Sequence, residues 1–287
     1  MSRRSRTVWL SGLVWAGGWI AAGVLGWAGP SRAIGAETEQ PNPSERAEAA
    51  QRSPDAGESI RVGGDVEIAI REQNGKFFDD ANNGMVTTKL PEGYPRPTPF
   101  GAIELKGYPT VRRAEVSGDG SGTRRGGGGF WPLFRHISER DIAMTAPVEM
   151  DLPGWSAKNG SDAQAWTMSF LYEKPDLGPT GDAGGRVTVV DADPMVVIAI
   201  GLQGGYYSDG PAGEVYDEAL ETLEEWVASH GGWEQAGPPR TLAYNGPMVP
   251  APFRWGEVQI PVEPAADGAE PAPDAPDSAD ADETRGG

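Results

Sequence analysis

The sequence predicts an α+β fold with about seven or eight short strands and two helices, and three observations predict it. Short stretches with apolar residues at every second position are interspersed with two stretches at helical spacing. The order strand, helix, strands recurs twice, as a pseudo-duplicated sheet wrapped on two helices would require. The patterned region is bounded by runs that carry no apolar period, so the fold is confined to roughly residues 58 to 262.

In chain order, "DVEIAI" (65–70) alternates and reads as a short strand in an extension, 58–99, whose structure the sequence leaves open. "AIELKGYPTVRRAEV" (102–116) also alternates, and its Gly-Tyr-Pro makes it two strands or one bulged strand. A glycine loop follows at 117–129. "FWPLFRHISERD" (130–141) places Phe130, Leu133, Phe134 and Ile137 on one helical stripe, with Pro132 suited to the first turn. "IAMTAPVEM" (142–150) reads as a strand with Met144, Ala146 and Val148 facing inward and Thr145 outward. Pro147 has no N–H and belongs at an edge or bulge. "AWTMSFLYE" (165–173), "RVTVV" (186–190) and "MVVIAIGLQGG" (195–205) are further strands, the last two split by the turn "DADP". The second helix carries Tyr216, Ala219, Leu220, Leu223, Trp226 and Val227 on one face, acids on the other, and stops at Gly231-Gly232. "TLAYNGPMVPAPFRWGEVQIPV" (241–262) closes the domain as strand, proline-rich turn and strand.

Composition narrows the function. The 287 residues contain no cysteine, which removes disulfides, thiolate ligands and thiolate nucleophiles. A net charge of -18 opposes nonspecific binding to nucleic acid or anionic membrane. The two histidines, His136 and His230, do not have the spacing of a zinc site. Residues 1–36 combine a basic "MSRRSRT", an uncharged 21-residue apolar run and the small residues of "AIGAE". They read as an export signal, or as an uncleaved anchor that would be the chain's one link to a membrane. Residues 37–57 read as a disordered linker and 263–287 as a disordered acidic tail.

Two blocks, "FWPLFRHI…RDIAMTAPVEM" and "YNGPMVPAPFRWGEVQIPV", resemble the SOUL/heme-binding-protein family. Phe130, Leu133 and Ile137 match its helix, Met144 to Val148 its MTAPV strand, and Tyr244, Asn245, Pro247, Pro250, Pro252, Arg254, Glu257 and Val258 its ending. The resemblance covers residues 100–262, with departures at His136, Glu139-Arg140-Asp141 and Trp255-Gly256. It implies a distorted antiparallel β-barrel of about eight strands with two flanking helices, and noncovalent binding of heme or another tetrapyrrole. Carried over, the porphyrin wall is Phe130, Phe134, Met248 and Val249, with Arg135 beside it for a propionate and His136 as a candidate axial iron ligand. An exported carrier, buffer or scavenger follows. The competing readings are an enzyme acting on a small hydrophobic molecule in the same cleft, with Glu257 and Tyr244 or Asp191 as an acid/base pair, and a binding module for another ligand or a protein. No G-x-S-x-G, H-E-x-x-H or Walker sequence supports an enzyme. Oligomeric state is not legible in the sequence.

Overall fold

The computed structural model describes residues 42–67, 69–119, 128–156, 158, 165–204 and 211–266. Residues 1–36, on which the export reading falls, the centre of the glycine loop and most of the acidic tail lie outside the described residues. In chain order the elements are α1 (Pro43–Ala49), β1 (Ser59–Gly63), β2 (Ile70–Gln73), β3 (Lys76–Asp79), β4 (Gly84–Val86), β5 (Ile103–Tyr108), β6 (Val111–Gly118) and α2 (Phe130–Glu139). Then come β7 (Val148–Asp151), β8 (Trp166–Leu171), β9 (Gly181–Asp182), β10 (Thr188–Ala192), β11 (Met195–Gln203), α3 (Pro211–Ser229), β12 (Trp233–Gln235), β13 (Arg240–Ala243), a 3-10 turn (Ala251–Phe253) and β14 (Trp255–Pro264).

Eleven strands form one large sheet in the order β1-β5-β11-β14-β13-β7-β8-β6-β10-β9, with β12 beside β14, and every strand pairing in it is antiparallel. Its ends are β1 and β9, so the pairing stays open rather than closing into a barrel. The order is a palindrome about the β13–β7 pair: β5, β11, β14 and β13 on one side correspond to β10, β6, β8 and β7 on the other. The duplicated pattern in the sequence is thus a duplicated topology, in which each half lends one strand to the edge of the other. Each helix covers its own half, α2 over β6 and β8, α3 over β11 and β14.

Pleating decides what each face of the sheet carries. Leu105, Val116, Met168, Phe170, Ile198, Val258 and Ile260 point to the helices and join Leu133, Ile137, Tyr216, Leu220, Leu223 and Trp226 in the main core. The alternate positions point the other way and are buried charges and amides: Glu104, Lys106, Glu149, Arg240, Glu257 and Gln259. Burying charge is tolerated only where partners exist, and the segment preceding β5 supplies several of them. The Thr98 N–H donates to Glu257 (2.7 Å), the Tyr94 hydroxyl to Glu149 (2.7 Å), and Arg96 pairs with Glu104 (2.8 Å).

Three expectations need correction. Residues 43–49 of the expected linker are a helix, closed by a capping box between Asn42 and Glu45. That helix buries none of its residues, so no apolar stripe announces it; only Ala50, just past its end, is buried, accepting from Trp233 Nε1 at 2.6 Å. Of "DVEIAI", β2 takes only Ile70; Asp65, Val66 and Glu67 lie outside any strand, and Arg61 binds the Val66 carbonyl. MTAP is not strand either: β7 begins at Val148. Thr145 Oγ1 donates to the Leu171 carbonyl (2.6 Å), the Ala146–Pro147 peptide is cis, and Pro147 has no N–H for a ladder. Met144 is half exposed instead of inward-facing, whereas Ala146 is buried. "AIELKGYPTVRRAEV" resolves into two strands, β5 and β6, that pair with different neighbours.

Candidate functional site: an aromatic ledge on the short helix

Helix α2 is seated by close approach at its start. A Cβ on Gly129 would stand 2.9 Å from Trp166 Cζ3, and one on Gly118 would stand 2.3 Å from Trp166 Cζ2. Glycine at both positions lets the indole of Trp166 fill the space under the first turn. Leu133, His136 and Ile137 then face inward. The helix ends when Asp141 adopts a left-handed conformation (φ 52) and the Ile142 N–H reaches back to the Ile137 carbonyl (2.9 Å), the six-to-one bond of a Schellman ending.

At about 100° per residue, filling the inward face with 133, 136 and 137 turns 131 and 134 outward. Trp131 is 67% exposed and Phe134 40%. Phe130 is half-buried, edge-on to Phe170 of β8 at 5.3 Å. The Phe130 and Phe134 rings lie parallel at 5.9 Å, and Trp131 stands nearly perpendicular to both, at 5.5 and 6.0 Å. The result is a right-angled aromatic ledge open to solvent. Fully covering a large apolar side chain is worth roughly 1.5–3 kcal/mol, so the ledge offers a flat apolar ligand appreciable free energy. Arg135 is exposed on the same helix and makes no ion pair among the described residues. Trp131 was missing from the site residues read from the sequence; its i+4 relation to Arg135 was the available signal.

His136 belongs to the interior. It is buried, its Nε2 lies 2.7 Å from the Tyr172 hydroxyl, and its ring runs nearly parallel to that of Tyr172. Burial and, secondarily, the neighbouring Arg140 cation push its pKa below the usual 6.5, which keeps it neutral. This arrangement does not present His136 to an iron above the ledge. His230 stacks on Trp226, with Nδ1 2.8 Å from the Trp226 carbonyl.

Met248 and Val249 sit on the turn after β13. Arg254 holds that turn through the carbonyls of Val249 (2.6 Å) and Pro247 (3.0 Å), and Asn245 ties it to Met85 and to the Trp255 N–H. Met248 is almost fully exposed at the tip. The two motif blocks leave the same end of the sheet, where Ala243 pairs with Val148, and Ala146 and Tyr244 share a small core. Phe130 of the ledge packs on Phe170 of β8, while the 3-10 turn after Val249 packs on β4 and β11. The structure unites Phe130, Trp131, Phe134 and Arg135 on one helix and places Met248 and Val249 on a different support.

The suggested acid/base pair is half present. Tyr244 donates to Glu257 (2.9 Å), but Glu257 also accepts from Lys106, Gln259 and the Thr98 N–H and is fully buried. Burial lowers the Lys106 pKa against the pull of Glu257. Asp191 is exposed and held by Arg112. A carboxylate with four donors is a structural anchor, not a base waiting for substrate.

A family pattern described as "SOUL heme-binding protein" matches residues 96–261. No curated protein matches the chain. Among solved structures, the C-terminal domain of EcmrR aligns with 14% identity and a TM-score of 0.42, over 56% of this chain and 96% of that one. A hydrolase from Listeria innocua gives 14% identity and 0.41, over 58% and 94%. SAV2435 bound to tetraphenylphosphonium gives 10% identity and 0.35, over 56% and 93%. At these scores the likenesses say nothing of function.

Proposed function

We propose, for a chain that belongs to the SOUL heme-binding protein family, that its ligand is heme or a related tetrapyrrole, held noncovalently on the ledge of α2. The observation that carries this reading is the exposure of Trp131 and Phe134 next to the half-buried Phe130, an arrangement that packing alone does not require. A tetrapyrrole is flat and apolar with carboxylates at one edge. The Phe134 face and Trp131 would contact the ring, and the guanidinium of Arg135 would meet a propionate. The residues fit the macrocycle and its acids; His136, turned inward to Tyr172, does not fit iron. When bound, the heme would supply an iron centre. The protein side would supply the apolar surface, the counter-charge and exclusion of water from one face. We further infer from residues 1–36 that the protein is exported, or anchored by that segment, and acts as carrier, buffer or scavenger.

Titrating hemin into the purified protein tests this. A saturable Soret shift with one site is expected, and metal-free protoporphyrin should bind with comparable affinity because the wall dominates. No spectral change at micromolar protein that retains its folded circular dichroism spectrum would contradict the reading.

A further inference from the structure

The turn between β13 and β14 carries an exposed apolar tip. Gly246, Pro247, Met248, Pro250, Ala251 and Pro252 are exposed and Val249 is half-buried, with Met248 at 92%. Residues 246–252 include no polar side chain, and residues 244–256 include no acid in a chain that has 42. The groups that tie the turn down from outside, on Asn82, Met85 and Gln203, are uncharged.

Exposed apolar residues on a loop are common; the backbone is the informative part. In an apolar phase every backbone polar group needs a partner within the protein, and this tip already has nearly all of them. Pro247, Pro250 and Pro252 bring no N–H. The Val249 N–H donates to the Gly246 carbonyl (3.1 Å), the Phe253 N–H to that of Pro250 (2.9 Å) and the Arg254 N–H to that of Ala251 (3.0 Å). The Arg254 guanidinium donates to the carbonyls of Val249 (2.6 Å) and Pro247 (3.0 Å), and the Gln203 amide to that of Pro252 (2.7 Å). Every carbonyl from 246 to 252 except that of Met248 therefore accepts a bond inside the protein. The N–H groups left over are those of Gly246, Met248 and Ala251. Asn245 fixes the base of the turn between the Met85 carbonyl and the Trp255 N–H, so little ordering entropy opposes insertion.

The same accounting selects the partner. A protein interface supplies about one hydrogen bond per 100–200 Å², and this tip has almost none to offer. Lipid hydrocarbon asks for none. The net charge of -18 disfavours an anionic surface. We propose that residues 246–252 insert as a wedge into the apolar zone of a zwitterionic lipid surface, with Met248 deepest. The inference does not rest on the ledge of α2.

The chain has no cysteine, so Met248→Cys gives the full chain a single attachment point for the environment-sensitive dye NBD. Val215→Cys, at an exposed position on α3, is the reference site. Comparing the two positions keeps attachment through residues 1–36 from being mistaken for insertion of the tip. Phosphatidylcholine vesicles should shift the 248 emission to the blue, and nitroxide groups on the acyl chains should quench it. The 215 label should respond to neither. Val249→Asp should raise the lipid concentration needed for the 248 response by about tenfold. Arg254→Met makes the loop more apolar yet frees the carbonyls of Pro247 and Val249, and should weaken the response too. Any of four results in protein that retains its folded circular dichroism spectrum overturns the proposal. These are no 248 response up to about 5 mM lipid, as a tip made for a protein pocket would give; equal quenching at 248 and 215; an unchanged response in Val249→Asp; or a stronger one in Arg254→Met.

Discussion

The two halves of the sheet share a topology and differ in their helices. Helix α3 runs Pro211–Ser229 and sends Tyr216, Ala219, Leu220, Leu223 and Trp226 into the core, leaving mainly acids outside. Helix α2, at Phe130–Glu139, is about half as long, buries Leu133, His136 and Ile137, and leaves aromatic rings outside. The same position in a duplicated architecture is thus a structural brace in one half and an open apolar surface in the other. A helix that needs only three inward side chains to hold it has its remaining aromatics free for a ligand.

The largest effect expected from breaking this contrast is in the brace. Trp226→Ala removes a buried indole and should cost about 3–5 kcal/mol of stability, read from the denaturant midpoint. A comparable loss, about 3–5 kcal/mol, is expected for Lys106→Met, because Glu257 is left buried without its counter-charge. Combining it with Glu257→Gln should recover a substantial part of that loss. This pair belongs to the polar face, where Glu149 of β7 meets Arg240 of β13 across the boundary between the halves. Burial alone would raise the Glu149 pKa, but Arg240 and Arg113 outweigh it and hold it below the ordinary 4.5. Its contribution to stability is therefore complete above about pH 4.5 and lost as pH falls through the lower folded value. Glu149→Gln should flatten the acid side of the stability profile.

A smaller effect, about 1–2 kcal/mol, is expected for His136→Ala, from the lost Tyr172 contact and the space left behind. Because the folded histidine stays neutral, wild-type stability should be complete above about pH 6.5 and decline below it, and the variant should lose that slope. Hemin binding should be unchanged. Arg135→Glu, on an exposed side chain, should leave stability almost untouched and weaken hemin and metal-free porphyrin alike by several-fold.

Helices α2 and α3 were legible because each shows 3.6-residue spacing over two or more turns, β8 and β14 because apolar residues recur at every second position, and β11 because it is a continuous apolar run. The duplication was legible from element order alone. Residues 43–49 hid because a helix that buries nothing writes no stripe, although the Asn-Pro-Ser-Glu capping sequence was there to read. The buried charges of the polar face hid for the opposite reason: Glu104, Lys106 and Glu257 alternate with apolar residues just as solvent-facing positions would, and only the overlying segment around Tyr94 and Thr98 turns that face inward. In the ledge, Phe130, Phe134 and Arg135 could be named from the family motif. Trp131 is not in that motif; its i+4 relation to Arg135 hinted at it, but its exposure depends on which three residues win the inward face. His136 stands where the family has a tyrosine, which favoured a hydrogen-bonding structural role over iron ligation, and its Nε2 meets the Tyr172 hydroxyl.

The double substitution Trp131→Ala with Phe134→Ala, titrated with metal-free protoporphyrin, tests the central claim most directly. Both side chains are solvent-facing, so stability should change by less than about 1 kcal/mol, while porphyrin affinity should fall by tenfold or more, about 1.4 kcal/mol or greater. Unchanged porphyrin affinity in a folded double variant would contradict the account and place the ligand somewhere other than the short helix.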